Sequence, residues 1–522
     1  MKKELVSKEL KEVLREEIKV YRENGHKFLN KELTVPQFKK LSGGMGSYAH
    51  RGGQEFMIRL KTPSGVISKE DFNQIYDWAV KYKREWIHPT TREAIQFHGM
   101  TIDEVCDLME EALDYGVYSR GSGGNYPRNV AMSPLAGSSI SEAFDVRPYA
   151  EKVNEHIMSQ VNKYKLPRKI KVAMASDFND EPHATTTDLG FVAVKENGKD
   201  MFRLFIGGGL GRNSRVGVEF PELVDPMDVV YHVEGLTRMF IAEGDYENHN
   251  KARIRYIVER MGEEEFIACY KKHFADVKEN LNLDITIENK EITKKGIKTS
   301  IKDERLVPQK QEGLYAVYFH PQTGILKTDF LGELLKLTNS MEDVSFRITM
   351  EEGLYIINLN GEEADRILQF TKGKGEELKV MQSISCIGVP ICQLGIGNSQ
   401  GLVDTIIKKL KAEGVDKDLL PRVHVSGCMN SCGVHEIGEI GYTGKTKRVN
   451  DAPRKCFELH VGGKFEVENT ALATIYGDML EDEIPNFLFD LYKELEKTNA
   501  VFANWYVLNK ETFKEIASKY LV

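Results

Sequence analysis

Four of the seven cysteines fall into two short clusters. Cys386 and Cys392 lie in Ser-Cys-Ile-Gly-Val-Pro-Ile-Cys-Gln-Leu-Gly, and Cys428 and Cys432 in Val-Ser-Gly-Cys-Met-Asn-Ser-Cys-Gly-Val. Four thiolates from two loops can cage a tetrahedral metal or an iron–sulfur cubane. Soft sulfur ligands select these over magnesium or calcium. The Cys386–Cys392 spacing is wider than the C-x2-4-C of structural zinc hairpins. The residues between them, Ile387 to Ile391, are small or apolar, as suits a group shielded from water. Cys428 and Cys432 would share one face of a helical turn, and the flanking Gly427 and Gly433 let the backbone approach a bulky group. The spacing favours iron–sulfur, with zinc or unligated thiols as the alternatives. Cys106, Cys269 and Cys456 are isolated and read as core thiols.

Polar residues recur where a plain core would not need them. In Thr90-Thr91-Arg92-Glu93-Ala94-Ile95-Gln96-Phe97-His98-Gly99, the even spacing of Arg92, Gln96 and His98 would put them on one strand face. A solvated face is the alternative. Arg128 stands in Tyr126-Pro127-Arg128-Asn129-Val130. Leu166-Pro167-Arg168-Lys169-Ile170-Lys171 opens an apolar strand with two lysines on one face, which a charged edge strand would also explain. Gly207-Gly208-Gly209-Leu210-Gly211-Arg212 could cradle an anion with backbone N–H groups. It lacks the Lys-Ser/Thr of a nucleotide P-loop.

The elements that must position these residues follow from hydrophobic period. Residues 54–62 read as a strand, 63–65 as a turn, 69–83 as a helix, 94–98 as a strand and 102–115 as a helix. The order recurs: strand 314–319, turn 322–324, helix 326–337, strand 355–359, helix 362–370. The offset of about 260 residues implies an internal duplication. A longer α/β segment follows each copy: strands at 169–175, 189–195 and 202–206 after the first, the cysteine region and a helix near 483–496 after the second. The expected division is a helical arm to residue 45, half-domains over 46–120 and 311–375, larger domains over 121–280 and 376–522, and a connector over 281–310. No chemistry is assigned to the arm.

The 522 residues suffice for several domains, and 41% hydrophobic with 29% charged residues is ordinary for a globular protein. No apolar run nears the ~18 residues that span a bilayer, and the N-terminal stretch has no signal-peptide core. A cytoplasmic protein with no membrane is expected. The net charge of −8 argues against bulk nucleic-acid binding.

Taken together, the ordered motifs resemble the sirohaem-dependent sulfite and nitrite reductases over roughly residues 45–520. Cys386, Cys392, Cys428, Asn430 and Cys432 match that family's cluster signature, and the Thr-Thr-Arg…Gln-Phe-His, Pro-Arg-Asn-Val, Leu-Pro-Arg-Lys-x-Lys and Gly-Gly-Gly-Leu segments match in the same order. The resemblance implies an α+β, internally duplicated fold: two ferredoxin-like half-domains plus two sirohaem- and cluster-binding α/β domains around a pseudo-twofold. It implies a 4Fe-4S cluster held by the four cysteines, with Cys432 bridging to sirohaem. It assigns the oxyanion to Arg59, Arg128, Lys169 and Lys171, the lysines being the better proton donors. It assigns the cofactor to Arg92, Gln96, His98, Gly207, Gly208, Gly209 and Asn430, with Arg51 a further candidate. In the second copy Phe319 is expected at the place of Arg59.

Lys-x-Lys is commoner among the sulfite-reducing members, so sulfite is the expected substrate and nitrite the alternative. No flavin or nicotinamide domain is evident, so electrons are expected from a separate donor, most simply a reduced ferredoxin. A non-catalytic iron–sulfur protein and a zinc-stapled scaffold are the rival classes.

Overall fold

The computed structural model describes residues 5–288 and 291–522; the first four residues of the arm and residues 289–290 of the connector lie outside the described residues. The architecture is α+β, with four five-stranded sheets among the described residues, arranged as two repeats of a pair.

In the first half, strands Ser47–Ala49, Phe56–Leu60, Ile95–Met100 and Trp86–Pro89 form an antiparallel sheet covered by helices Lys69–Lys81 and Ile102–Tyr115. The second half repeats this with strands Leu306–Pro308, Leu314–Phe319, Leu354–Asn360 and Ser345–Ile348 under helices Thr328–Thr338 and Gly361–Thr371. Each sheet borrows its fifth strand from the other half. Leu326 and Lys327 pair with Ile87 and Trp86, while Val66–Ser68 pairs with Ser345–Arg347. The two half-domains therefore share one apolar core, in which Ile67, Phe72, Leu326, Leu331 and Phe346 are buried together.

The larger domains also repeat. Strands Ala131–Met132, Val172–Ala175, Leu189–Glu196 and Lys199–Ile206 correspond to Ile384–Ser385, Val423–Ser426, Ile440–Val449 and Ala452–Val461. In each, two parallel pairings are followed by a long antiparallel hairpin.

Left-handed backbone at matched positions fixes the repeat to the residue. Ser64 and Thr323 both have φ 54°, and Glu93 and Glu352 have 53° and 65°, an offset of 259. Asp180 and Ser431 have φ 51° and 52°, and His183 and Val434 have 58° and 48°, an offset of 251. Such φ values are uncommon for non-glycine residues, so their recurrence in step marks a common backbone path.

The N-terminal segment is not a free surface arm. Helix Lys8–Leu29, capped by Ser7, buries Leu10, Leu14, Ile18, Tyr21 and Phe28, and Phe28 stacks on Phe38 of helix Val35–Met45. Its apolar stripe continues the first half-domain's core. No helix of the described residues is long and apolar enough to cross a membrane.

Candidate active site

One cavity of about 1450 Å³ lies where both half-domains meet both larger domains. Cys386, Cys392, Cys428 and Cys432 all line it, as do Arg59, Arg92, Gln96, His98, Arg128, Lys169, Lys171 and Asn430. So do Lys61 and Arg120, which no motif singled out, and Arg168 of the Leu-Pro-Arg-Lys segment.

The cysteine loops are shaped by backbone rather than by a helix. Residues 427–434 run as successive turns, with Ser431 at φ 52°, so Cys428 and Cys432 do not share a helical face. Gly433 N–H donates to Ser426 Oγ at 3.0 Å, and its missing Cβ lets it lie against Val425 O. Gly427 N–H points at Cys386 Sγ at 3.1 Å, and Asn430 Nδ2 at Cys428 Sγ at 3.4 Å. Such donors favour a thiolate, whereas burial alone pushes both of these thiols up. Ligand binding must therefore supply the deprotonation.

Among the described residues no three His, Cys, Asp or Glu side chains close around a single metal ion. A cubane carries an iron at each of four corners and one thiolate per corner, so its cysteines stand farther apart than ligands to a lone ion. The donor set is thus all sulfur and open to a cavity. Cys106 and Cys456 are buried and Cys269 is half-buried on a helix, consistent with core thiols.

The first half-domain grips the cysteine loops. Arg51 N–H donates to Ile391 O at 2.9 Å, Arg51 Nη2 to Gly395 O at 2.6 Å, and Thr91 Oγ1 to Cys432 O at 2.7 Å. Arg51 acts on the loop and is absent from the cavity lining.

Arg59 sits opposite Gln96 in the strand register. Its Nη1 donates to Ser122 O at 3.0 Å. Gln96 satisfies all its neighbours only with its carbonyl oxygen toward Arg59 Nε and Nη2, at 2.9 and 2.6 Å, and its amide nitrogen toward His98. Three of five guanidinium N–H groups are thereby used, leaving one on each terminal nitrogen. Arg128 is held by Gly123 O, Gly124 O and Tyr126 O at 2.7–2.9 Å, and burial lowers it to about 9. Arg92 belongs to the turn before strand Ile95–Met100, not to the strand; it donates to Asn129 O and Val172 O, and burial lowers it to about 10. Its buried Nε has no partner.

The strand expected from 169 begins at Val172, so Lys169 and Lys171 flank it. Burial, then the neighbouring cations, lowers Lys169 well below the usual lysine range and Lys171 to about 7. Among the described residues none of Arg59, Arg92, Arg128, Lys169 and Lys171 forms an ion pair with a carboxylate. Keeping these groups charged around a cavity is costly unless an anionic ligand enters.

Gly207, Gly208 and Gly209 do not line the cavity. Gly207 N–H donates to Asp188 O and Gly209 N–H to Arg215 O. A Cβ on Gly208 would strike Thr187 O at 2.7 Å. The loop is tight for packing, and it continues to Gly211, whose N–H donates to Glu436 Oε1 beside the cysteine loop. Three of the donors an anion cradle would use, the N–H groups of Gly207, Gly209 and Gly211, are already engaged.

The second copy holds different residues. The 259-residue offset places Tyr318, not Phe319, at the position of Arg59, and Tyr355 at that of Gln96. Their rings pack at 4.8 Å. Glu351 and Arg422 take the places of Arg92 and Lys171 and form an ion pair. Asp177 and Glu181 stand where Cys428 and Cys432 stand, and Ser133 and Ser139 where Cys386 and Cys392 stand. The second copy thus lacks counterparts of the Arg59 and Arg92 guanidiniums and neutralises its one retained cation, Arg422, with Glu351, while the first copy lacks the sulfurs.

The residues fit a carboxylate-rich tetrapyrrole beside a cluster: four thiols, a large cavity, unpaired cations and an orphaned guanidinium nitrogen. Comparison with known proteins agrees. Residues 48–115 match the nitrite/sulfite reductase ferredoxin-like half domain, and residues 123–278 the nitrite and sulphite reductase 4Fe-4S domain. The second segment contains none of the four clustered cysteines, being the first copy of the duplicated unit. The chain is 25% identical over 481 residues to the chloroplastic ferredoxin–nitrite reductase of Arabidopsis thaliana, covering 86% of this chain and 80% of that one. It is 25% identical over 423 residues to sulfite reductase [ferredoxin] 1 of Mycolicibacterium paratuberculosis, covering 78% and 73%. The structure of Mycobacterium tuberculosis NirA protein superposes with a TM-score of 0.75 at 21% identity over 91% of this chain and 90% of that one.

Proposed function

This chain belongs to the sirohaem- and 4Fe-4S-dependent nitrite and sulfite reductase family, and on that premise we propose that it reduces sulfite to sulfide, with a reduced ferredoxin as electron donor. It is an oxidoreductase that uses sirohaem and a 4Fe-4S cluster. What carries the choice of reaction is the meeting, in one cavity, of four thiols with cations that have no carboxylate partner.

Cys386, Cys392, Cys428 and Cys432 would hold the cluster, with Cys432 the thiol we assign to couple it to the tetrapyrrole. When bound, the coupled pair supplies electrons and an iron site for the substrate. The chain's own residues do the rest. Arg59 and Arg128 have their guanidinium planes fixed by carbonyl oxygens and present their remaining N–H groups to the oxyanion. The fixed charges need no rearrangement as the reaction proceeds. Six electrons reduce the sulfur, and protons carry its three oxygens away as water. Lys169 and Lys171, whose burial weakens their hold on a proton, deliver these protons. Arg92, Gln96 and Asn430 border the cofactor.

Sulfite is favoured because a dianion matches the second lysine, Lys171. Nitrite reduction to ammonia is the second reading, favoured by the names of the relatives from Arabidopsis thaliana and Spinacia oleracea, both ferredoxin–nitrite reductases. Steady-state rates with both anions and one ferredoxin, for wild type and Lys171→Asn, test the choice. Sulfite turnover should fall relative to nitrite; an unchanged ratio refutes it.

A further inference from the structure

A file of polar side chains runs from the cavity to the surface beneath the first half-domain. Arg59 Nε and Nη2 donate to the Gln96 carbonyl oxygen, and the Gln96 amide nitrogen faces His98 Nε2 at 3.0 Å. His98 Nδ1 lies 3.2 Å from His50 Nε2, and His50 Nδ1 lies 3.4 Å from Glu55 Oε2. His98 and His50 are buried, whereas the Glu55 carboxylate is 62% exposed.

Local backbone builds the file. Strand Ile95–Met100 bulges where His98 and Gly99, the latter at φ 69°, oppose Met57; a bulge re-aims a side chain at a strand's edge. His50 and Glu55 close a hairpin through His50 N–H to Glu55 O at 2.7 Å, with Gly52 and Gly53 at φ 97° and 74° making the turn.

Only one hydrogen placement satisfies every link. Arg59 has only donors, so the Gln96 oxygen must face it. The amide nitrogen then donates to His98 Nε2, which puts the His98 proton on Nδ1. That proton goes to His50 Nε2, so the His50 proton sits on Nδ1 and goes to Glu55. Every donor points the same way, from the cation toward the surface anion. Both imidazoles must be neutral, and burial lowers both, His98 strongly so.

We propose that His50 and Glu55 are positioning residues for Arg59: through His98 and Gln96 they fix the direction in which its two free N–H groups meet the oxyanion. This rests on the assignment of Arg59 to anion binding. The groups facing the file are His88, 6.2 Å from His98 between ring centres and bonded to Glu352, and Arg84, which donates to His98 O. Protonation of His50 would place donors on both sides of its ring and break the single polarity. Glu55 raises the pH at which that happens.

The test uses the holoenzyme. His50→Phe keeps a ring against His98 and removes both nitrogens. It should raise the KM for the oxyanion roughly tenfold, the scale of a displaced binding group, with kcat and the tetrapyrrole bands preserved. Glu55→Gln, at an exposed position, should move the acid limb of the KM–pH profile to lower pH. If both variants keep wild-type KM and acid limb while Arg59→Ala loses the anion, the positioning role is refuted and the anion site stands. If Arg59→Ala leaves the anion KM unchanged, the anion-site assignment fails and the positioning role with it.

Discussion

The backbone N–H of Gly211 donates to Glu436 Oε1 at 2.7 Å, which ties the glycine-rich loop of one larger domain to the cysteine loop of the other. The same oxygen receives Ser214 Oγ at 3.2 Å, and Oε2 receives Ser431 Oγ. Glu436 is buried, yet these donors and the neighbouring His435 keep its carboxyl below the usual range. It therefore braces the turn between Cys428 and Cys432.

Glu436→Ala leaves two donors, the Gly211 N–H and the Ser431 hydroxyl, without their acceptor, while Ser214 Oγ keeps Gly211 O at 2.8 Å. Each such loss costs about 1–3 kcal/mol when buried. The expected result is a melting temperature lower by several degrees and iron and sulfide below one cluster per chain. Glu436→Gln, which keeps an oxygen, should fall between. Full cluster content in the alanine variant would show that the turn holds itself.

The two kinds of cysteine should separate cleanly. Cys432→Ser should remove most of the visible absorption, because it takes away the thiolate assigned to both cofactors. Cys456→Ser, in a strand whose Sγ faces Lys445 O, should keep the spectrum and change only stability, by about 1 kcal/mol. Iron analysis and a visible spectrum of each variant decide this.

Much of this was legible in sequence, for identifiable reasons. Helix Ile102–Tyr115 and strand Leu314–Phe319 have strong period and clear caps, and both appear at their expected bounds. The duplication was visible but its register was not. An offset of about 260 in place of 259 shifts every pairing by one residue, which flips a strand's faces and exchanges Tyr318 for Phe319. The exchanged strands Val66–Ser68 and Leu326–Lys327 are too short to carry a periodic signal. The glycine run was misread as a ligand cradle because glycine serves close packing and ligand approach alike. His50 and Glu55 carry no motif; only the hairpin and the bulge bring them to His98. Lys61 lay two residues beyond Arg59 on the same strand face, a signal that was available.

Lys61 is buried, lines the cavity and lies near Arg128 and Arg120, with Met158 Sδ at 3.4 Å. Burial, reinforced by those arginines, lowers it to about 7. The unfolded chain holds this proton up to the ordinary lysine range, so folding releases it between about pH 7 and pH 10. Stability rises with pH across that window, and the penalty is full below pH 7. At ~1.4 kcal/mol per pKa unit, Lys61→Met should stabilise the cofactor-free protein by several kcal/mol at pH 6 and by little at pH 10. The same variant should weaken anion or cofactor binding, since it removes a cation from the lining. Denaturant melts at both pH values check the first effect, and a gain equal at both would contradict the assignment.

The exchange of strands makes a prediction about cooperativity. Leu326 and Lys327 complete the first half-domain's sheet, and Val66–Ser68 completes the second's. Around this crossing Thr328 N–H donates to Glu85 O at 2.9 Å, and the Asn73 and Asn339 amides bond each other in both directions at 2.9 and 3.2 Å. Tyr76 packs directly on Gly332, where a Cβ would fall 2.8 Å from its ring. Neither half can pair its outer strand without the other. Separating them would expose two unpaired sheet edges and the buried faces of Phe72 and Phe346, whose rings meet at 4.9 Å. A protease site placed at residues 286–288 and cut after folding should therefore leave the two pieces bound to each other. They should co-elute on size exclusion and melt in one transition by calorimetry. Two transitions, or pieces that part without denaturant, would mean that the crossing strands add little to the union of the halves.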